Sequence, residues 1–140
     1  MTQDVDYGAV AHAEVARVAV KWRAKPAPHD FVAARSYLSL NFTPGEVERI
    51  VTGLLRAKTV KFKAKDLLRA TRLPLLPESN PDVKKELDRI ASGQTLSPCL
   101  MVRGRLSKGR LADIADGYHR ICASNYVDED AEIPVRLIGL

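Results

Sequence analysis

The sequence predicts an α/β (α+β) protein, in which a mostly helical N-terminal portion, residues 1–58, packs on a core, residues 59–140, built as a small mixed sheet with flanking helices. Three observations carry that expectation. Apolar residues recur at helical spacing up to residue 57, then alternate with lysines from Val60 to Lys65. Short apolar runs bounded by turn residues follow at 98–102, 111–115 and 133–138, each of a length suited to a strand. At Ile114-Ala115-Asp116-Gly117-Tyr118-His119-Arg120-Ile121-Cys122-Ala123 an apolar strand breaks at Asp-Gly and a helix opens at once.

The elements follow in order. Residues 7–22 are rich in Ala and Val and suit a helix carrying Val10, Glu14, Arg17, Val18 and Lys21, while Val15, Val18 and Val20 keep a strand open. Lys25-Pro26-Ala27-Pro28-His29-Asp30 marks a boundary, and Asp30 caps a short helix to Leu40 with Phe31, Ala34, Tyr37 and Leu38 at helical spacing. Thr43-Pro44-Gly45-Glu46 is a capping box with Pro at the first helical position; it opens a helix to Ala57 whose buried face is Val47, Ile50, Val51, Leu54 and Leu55. Val60, Phe62 and Ala64 then oppose Lys61, Lys63 and Lys65 as in a half-buried strand. A helix is expected over 65–71, an extended stretch held by Pro74 and Pro77, and a helix from Asn80-Pro81 to Ser92-Gly93. The strand at 98–102, a turn over 103–110, a return strand at 111–115, a helix over 117–127 and a last strand at 133–138 complete the chain.

Composition narrows the class of function. Hydrophobic residues make up 46% and charged residues 28%, a globular balance with no repeat or low-complexity tract. No apolar run approaches the roughly 20 residues of a membrane span, and the acidic start Met1-Thr2-Gln3-Asp4-Val5-Asp6 is unlike a signal peptide, so a cytoplasmic protein without a membrane partner is expected. Cys99 and Cys122 have neither CxxC spacing nor a nearby His pair and read as reduced thiols; no metal site is expected. The net charge of +5 is uneven: residues 61–110 hold twelve Lys and Arg against five Asp and Glu, residues 111–140 two against six. A basic middle suits a phosphate-bearing ligand or nucleic acid, and equally a solvated charged face. Aromatic residues do not interleave with the basic ones, so nucleic-acid stacking has no visible platform.

The Asp-Gly-Tyr-His-Arg run carries the chemistry. A helix N-terminus leaves its first backbone N–H groups unpaired and bears about half a positive charge, which favours a phosphate. Gly117 permits close backbone approach, Arg120 offers a bidentate fork, and His119 offers a proton carrier. The plainer alternative makes Asp116 a helix cap and Tyr118, His119 and Arg120 surface residues. Cys122, four residues beyond Tyr118, reads as a small buried hydrophobe pointing away from the helix mouth.

With that order of elements, residues 60–138 resemble the ParB and sulfiredoxin superfamily. Ser97-Pro98-Cys99-Leu100-Met101-Val102 matches its Pro-led strand, residues 114–123 its phosphate-site motif, and Ile133-Pro134-Val135-Arg136 its closing strand. Departures separate the chain from two branches. Sulfiredoxins have Gly-Cys-His-Arg where this chain has Gly117-Tyr118-His119-Arg120, so the attacking thiol is replaced by a phenol. ParB proteins have Gly-Glu-Arg-Arg, of which Gly117 and Arg120 persist, and continue into a helix-turn-helix region with no counterpart before Leu140. The free serine kinase branch, with Asp-Gly-His-His-Arg, is the nearest in motif: Asp116, Gly117, His119 and Arg120 match and Tyr118 departs.

That resemblance implies a nucleotide, ATP, ADP or CTP, with its phosphates on the N–H groups of Gly117, Tyr118, His119 and Arg120, and a magnesium ion shared between phosphate oxygens and an acid. It makes Asp116 or His119 the catalytic base or metal-side acid, with Glu78 as a second carboxylate or else an exposed loop residue. Three classes stay open: a small phosphotransferase or NTPase; a nucleotide-sensing or protein-interaction module without turnover; and a DNA-binding or nuclease-like domain using Lys61, Lys63, Lys65, Arg69 and Arg72, which equally suit a wall of the phosphate site. A homo-oligomer is compatible with each.

Overall fold

Local chemistry places the helix ends and the sheet then gathers them. The computed structural model describes residues 19–140. The helix expected over 7–22 lies mostly outside the described residues, and its last two positions, Lys21–Trp22, form a strand, β1. Helix α1 spans Pro28–Leu38, with Ala27 rather than Asp30 at the cap. Pro28, lacking an N–H, fits the first helical position and sets the start earlier than expected, which leaves Asp30 inside the first turn. Its carboxylate instead accepts the Ala27 N–H at 3.1 Å. Helix α2, Pro44–Arg56, has the expected box: Thr43 Oγ1 accepts from the Glu46 N–H at 3.3 Å while Glu46 accepts from the Thr43 N–H at 2.9 Å.

Strand β2, Thr59–Lys63, runs directly into α3, Ala64–Thr71. The proline segment leads to α4, Pro81–Ala91, where Asn80 Oδ1 accepts from the N–H groups of Asp82 and Val83. Then come β3, Thr95–Leu96, β4, Cys99–Val102, a single 3₁₀ turn at Leu106–Lys108, β5, Asp113–Asp116, α5, Tyr118–Val127, and β6, Glu132–Ile138.

The architecture is α+β. A four-stranded sheet has the order β2-β6-β4-β5, with β4 parallel to β6 and the outer pairs antiparallel, so the sheet is mixed. β1 and β3 form a separate parallel pair. Alternation along β4 sends Cys99 and Met101 to one face and Leu100 and Val102 to the other, and all four are buried because both faces are covered. On the first face α3, α4 and α5 contribute Leu67, Val83, Ile90 and Ile121. On the second, α1 and α2 contribute Ala34, Leu38, Val47, Ile50 and Leu54 against Leu100, Val102 and Ala115. Leu54 is fully buried there, and truncating such a side chain to Ala costs about 2–5 kcal/mol.

Two expected burials fail. Leu55 is exposed, because the packed stripe of α2 is narrower than the sequence suggested. Val60 and Phe62 are also exposed, since β2 is an edge strand whose outer neighbours are missing. Among the described residues no helix is long and apolar enough to cross a membrane.

Candidate functional site

The antiparallel pairing of β4 and β5 sets Asp116 opposite Leu100 and delivers the chain to α5 directly above Cys99. Gly117 makes the turn with φ of +116°, a conformation L side chains rarely adopt. The approach is also close: a Cβ on Gly117 would lie 2.5 Å from the Cys99 sulfur and 3.0 Å from an Arg120 guanidinium nitrogen. Gly117, not Asp116, occupies the cap position, and no side chain caps the helix. The first turn of α5 lines an open cavity of about 450 Å³, whose lining includes Asp116, Gly117, Tyr118, His119 and Arg120. The structure thus brings the whole motif to one site.

Its side chains are disposed differently from the sequence reading. Arg120 is buried, and its guanidinium donates to Asp116 Oδ2 at 2.6 Å and to Asp30 Oδ2 at 3.5 Å. The fork assigned to a phosphate is turned onto the chain's own carboxylates. Burial pushes the Asp116 carboxyl above its ordinary value, against the pull of Arg120. Tyr118 donates its hydroxyl to the Pro74 carbonyl at 2.6 Å, so the phenol pins the proline segment, and its ring stands 5.6 Å from the His119 ring. His119 remains half-buried in the wall, its Nε2 3.8 Å from Asp82 Oδ2.

Five ionisable wall residues, Arg23, His29, Asp30, Glu86 and Arg89, escaped the sequence reading. Arg23 follows β1; His29 and Asp30 come from the first turn of α1, with His29 Nε2 3.3 Å from Asp30 Oδ1; Arg89 leans on Glu86 at 3.2 Å. Asp30 looked like a cap because cap residues and buried acids share a residue type, and its partner lies 90 positions away.

Other candidates fall elsewhere. Glu78 is an exposed residue of the proline segment near Tyr126 and does not line the cavity. Neither do Lys61, Lys63, Lys65, Arg69 and Arg72, so they are no wall of this site. Lys63 and Lys65 reach Asp130 at 3.6 and 2.7 Å, and Arg69 reaches Asp66 at 3.4 Å. Cys122 is fully buried in the core, and both cysteines are free thiols. Among the described residues no three His, Cys, Asp or Glu side chains gather as a metal cage. Comparisons with family models, with curated proteins and with solved structures find no match.

Proposed function

We propose that the cavity at the N-terminus of α5 binds a nucleotide through its phosphates, in a ParB/sulfiredoxin-like protein. One observation carries the reading: the first turn of α5, Tyr118 to Arg120, has no side-chain cap and lines a cavity of about 450 Å³, a volume in the range of small-molecule sites. Arg23, at the rim, supplies a guanidinium that no acid of the described residues engages. Arg120 acts from beneath, holding Asp116 and Asp30 so that neither carboxylate repels the phosphate at full strength.

Turnover, as a phosphotransferase or NTPase, rests on His119. His119 lines the cavity, with Asp82 3.8 Å from its Nε2, which suits a proton carrier at a phosphate acceptor. A magnesium ion arriving with the phosphates needs few protein ligands, and Asp116 is the acid that would share it, supplying charge neutralisation. The engagement of Asp116 by Arg120 favours the second reading, a nucleotide sensor without turnover.

A thermal-shift panel of ATP, ADP, CTP and GTP, with and without magnesium, tests the proposal. A true ligand at a hundredfold excess over its dissociation constant stabilises the fold by about 2.7 kcal/mol. If no nucleotide shifts the transition, the proposal fails; phosphate release from the stabilising nucleotide separates enzyme from sensor.

A further inference from the structure

A second concavity, of about 480 Å³, lies on the α3 face of the sheet at the far end of β4, and no residue lines both it and the cavity at α5. Its floor is apolar: Phe62, Leu67, Met101 and Leu137 line it, and Leu106, 69% exposed, stands at its edge. Phe62, 39% exposed, and Leu106 together put two large apolar side chains at the solvent edge of this concavity.

Arg103 and Arg110 line the groove together with one acid, Asp66, and Arg105 and Lys108 line an adjoining concavity on the same hairpin. The hairpin 103–110 carries Arg103, Arg105, Lys108 and Arg110 and no acid. None of the four forms an ion pair among the described residues, in contrast to Lys63, Lys65 and Arg69 of β2 and α3, and Arg110 lies over the Phe42 ring at 5.8 Å. The sole acid on the wall, Asp66, faces Arg69. The hairpin is also held in shape: Arg105 and Arg110 exchange backbone hydrogen bonds at 2.7 and 3.0 Å, and a Cβ on Gly104 would meet the Ala112 nitrogen at 2.5 Å. The cations are therefore displayed before any partner arrives, which lowers the ordering cost of binding.

We propose that this groove binds an acidic segment of a protein partner, with an apolar side chain of that segment seated on Phe62, Met101 and Leu137 and its carboxylates on the hairpin. Charge complementarity selects an acidic occupant, and the aliphatic floor selects a protein. A phosphodiester backbone would leave that apolar floor uncovered. A second copy of this chain is disfavoured because Glu129 and Asp130 of its acidic run Asp128-Glu129-Asp130 already engage Lys63 and Lys65.

Fluorescence anisotropy with the full chain provides the test, using an array of short acidic peptides in which the place of one Leu or Phe is varied. Matched probes are the same peptides with Ser at that place, a Lys-for-Glu version, and a single-stranded oligonucleotide of equal charge. The expected result is saturable binding of the acidic, Leu- or Phe-bearing peptide, weakened about tenfold or more by the Ser replacement and by added salt. Leu106→Asp and Arg103→Glu, both in the groove lining, each lower its affinity at least about tenfold, whereas Lys84→Glu on α4 leaves it unchanged. Circular dichroism of each variant verifies the fold, and the two substitutions act on different parts of the surface, so one misfolded variant does not remove the test. Equal binding of the Ser peptide, tighter binding of the oligonucleotide, or no saturable binding across the array would overturn the proposal.

Discussion

Arg120 turns its guanidinium back onto Asp116, the residue four positions earlier, and the two meet at 2.6 Å beneath the first turn of α5. The pair ties the end of β5 to the helix it precedes, and Asp30 joins it from α1 at 3.5 Å. Three charges thus hold three elements around one cavity, and their removal has unequal consequences.

Arg120→Ala leaves two partly desolvated carboxylates facing each other. Losing one partner of such a buried pair costs about 3–5 kcal/mol, which urea denaturation reads directly. The same substitution in an Asp30→Asn, Asp116→Asn background costs less, since the stranded charges are gone. Equal losses in both backgrounds would show that packing, not charge, holds Arg120.

Gly117→Ala forces a Cβ into a positive-φ position, at a cost of about 1–3 kcal/mol, and drives it against the Cys99 sulfur. Cys99→Ala in the same chain removes the sulfur contact and recovers part of the loss, giving a coupling of about 1 kcal/mol in a double-mutant cycle. Additive effects would mean that the two residues do not press on each other.

How much of this was legible in the sequence differs from residue to residue. The box at Thr43 and Glu46 was readable because cap chemistry is complete within four residues. The strand, Asp-Gly, helix order was readable for the same reason, and so was the burial of Cys122. Pairing of Arg120 with Asp30 was not, because it depends on α1 folding across β5, a contact between distant parts of the chain. The exposure of Val60 and Phe62 follows from the place of β2 in the sheet, which alternation alone does not encode. β1 and β3, two residues each, are too short to leave a periodic trace.

Alkaline pH destabilises the fold in a defined window. Burial pushes the Cys99 thiol from its ordinary 9.0 to about 12, and burial with the Asp113 hydrogen bond pushes the Tyr37 phenol from 10.0 to about 12. The unfolded chain releases these protons first, so it binds fewer protons than the folded chain and stability falls as pH rises from about 9 to about 12. Below pH 9 both contributions are complete. Denaturation midpoints across that range should fall, and Cys99→Ala should make the fall shallower without moving its onset, because burial also raises the Cys122 thiol from its ordinary 9.0.

His119→Ala separates binding from chemistry. Nucleotide affinity by calorimetry should change little, because the half-buried imidazole is not the phosphate ligand. Phosphate release, where turnover exists, should drop about a hundredfold or more. A variant that loses affinity as strongly as activity would move His119 into the binding contacts.

The central claim, phosphate on the α5 amides, is tested most directly by amide ¹H–¹⁵N spectra recorded while the stabilising nucleotide is titrated in. Saturable shifts centred on the amides of Tyr118, His119 and Arg120 are expected, with the same dissociation constant at each and weaker binding in Arg23→Ala. Shifts confined to other residues, with these three amides unmoved at saturation, would contradict it.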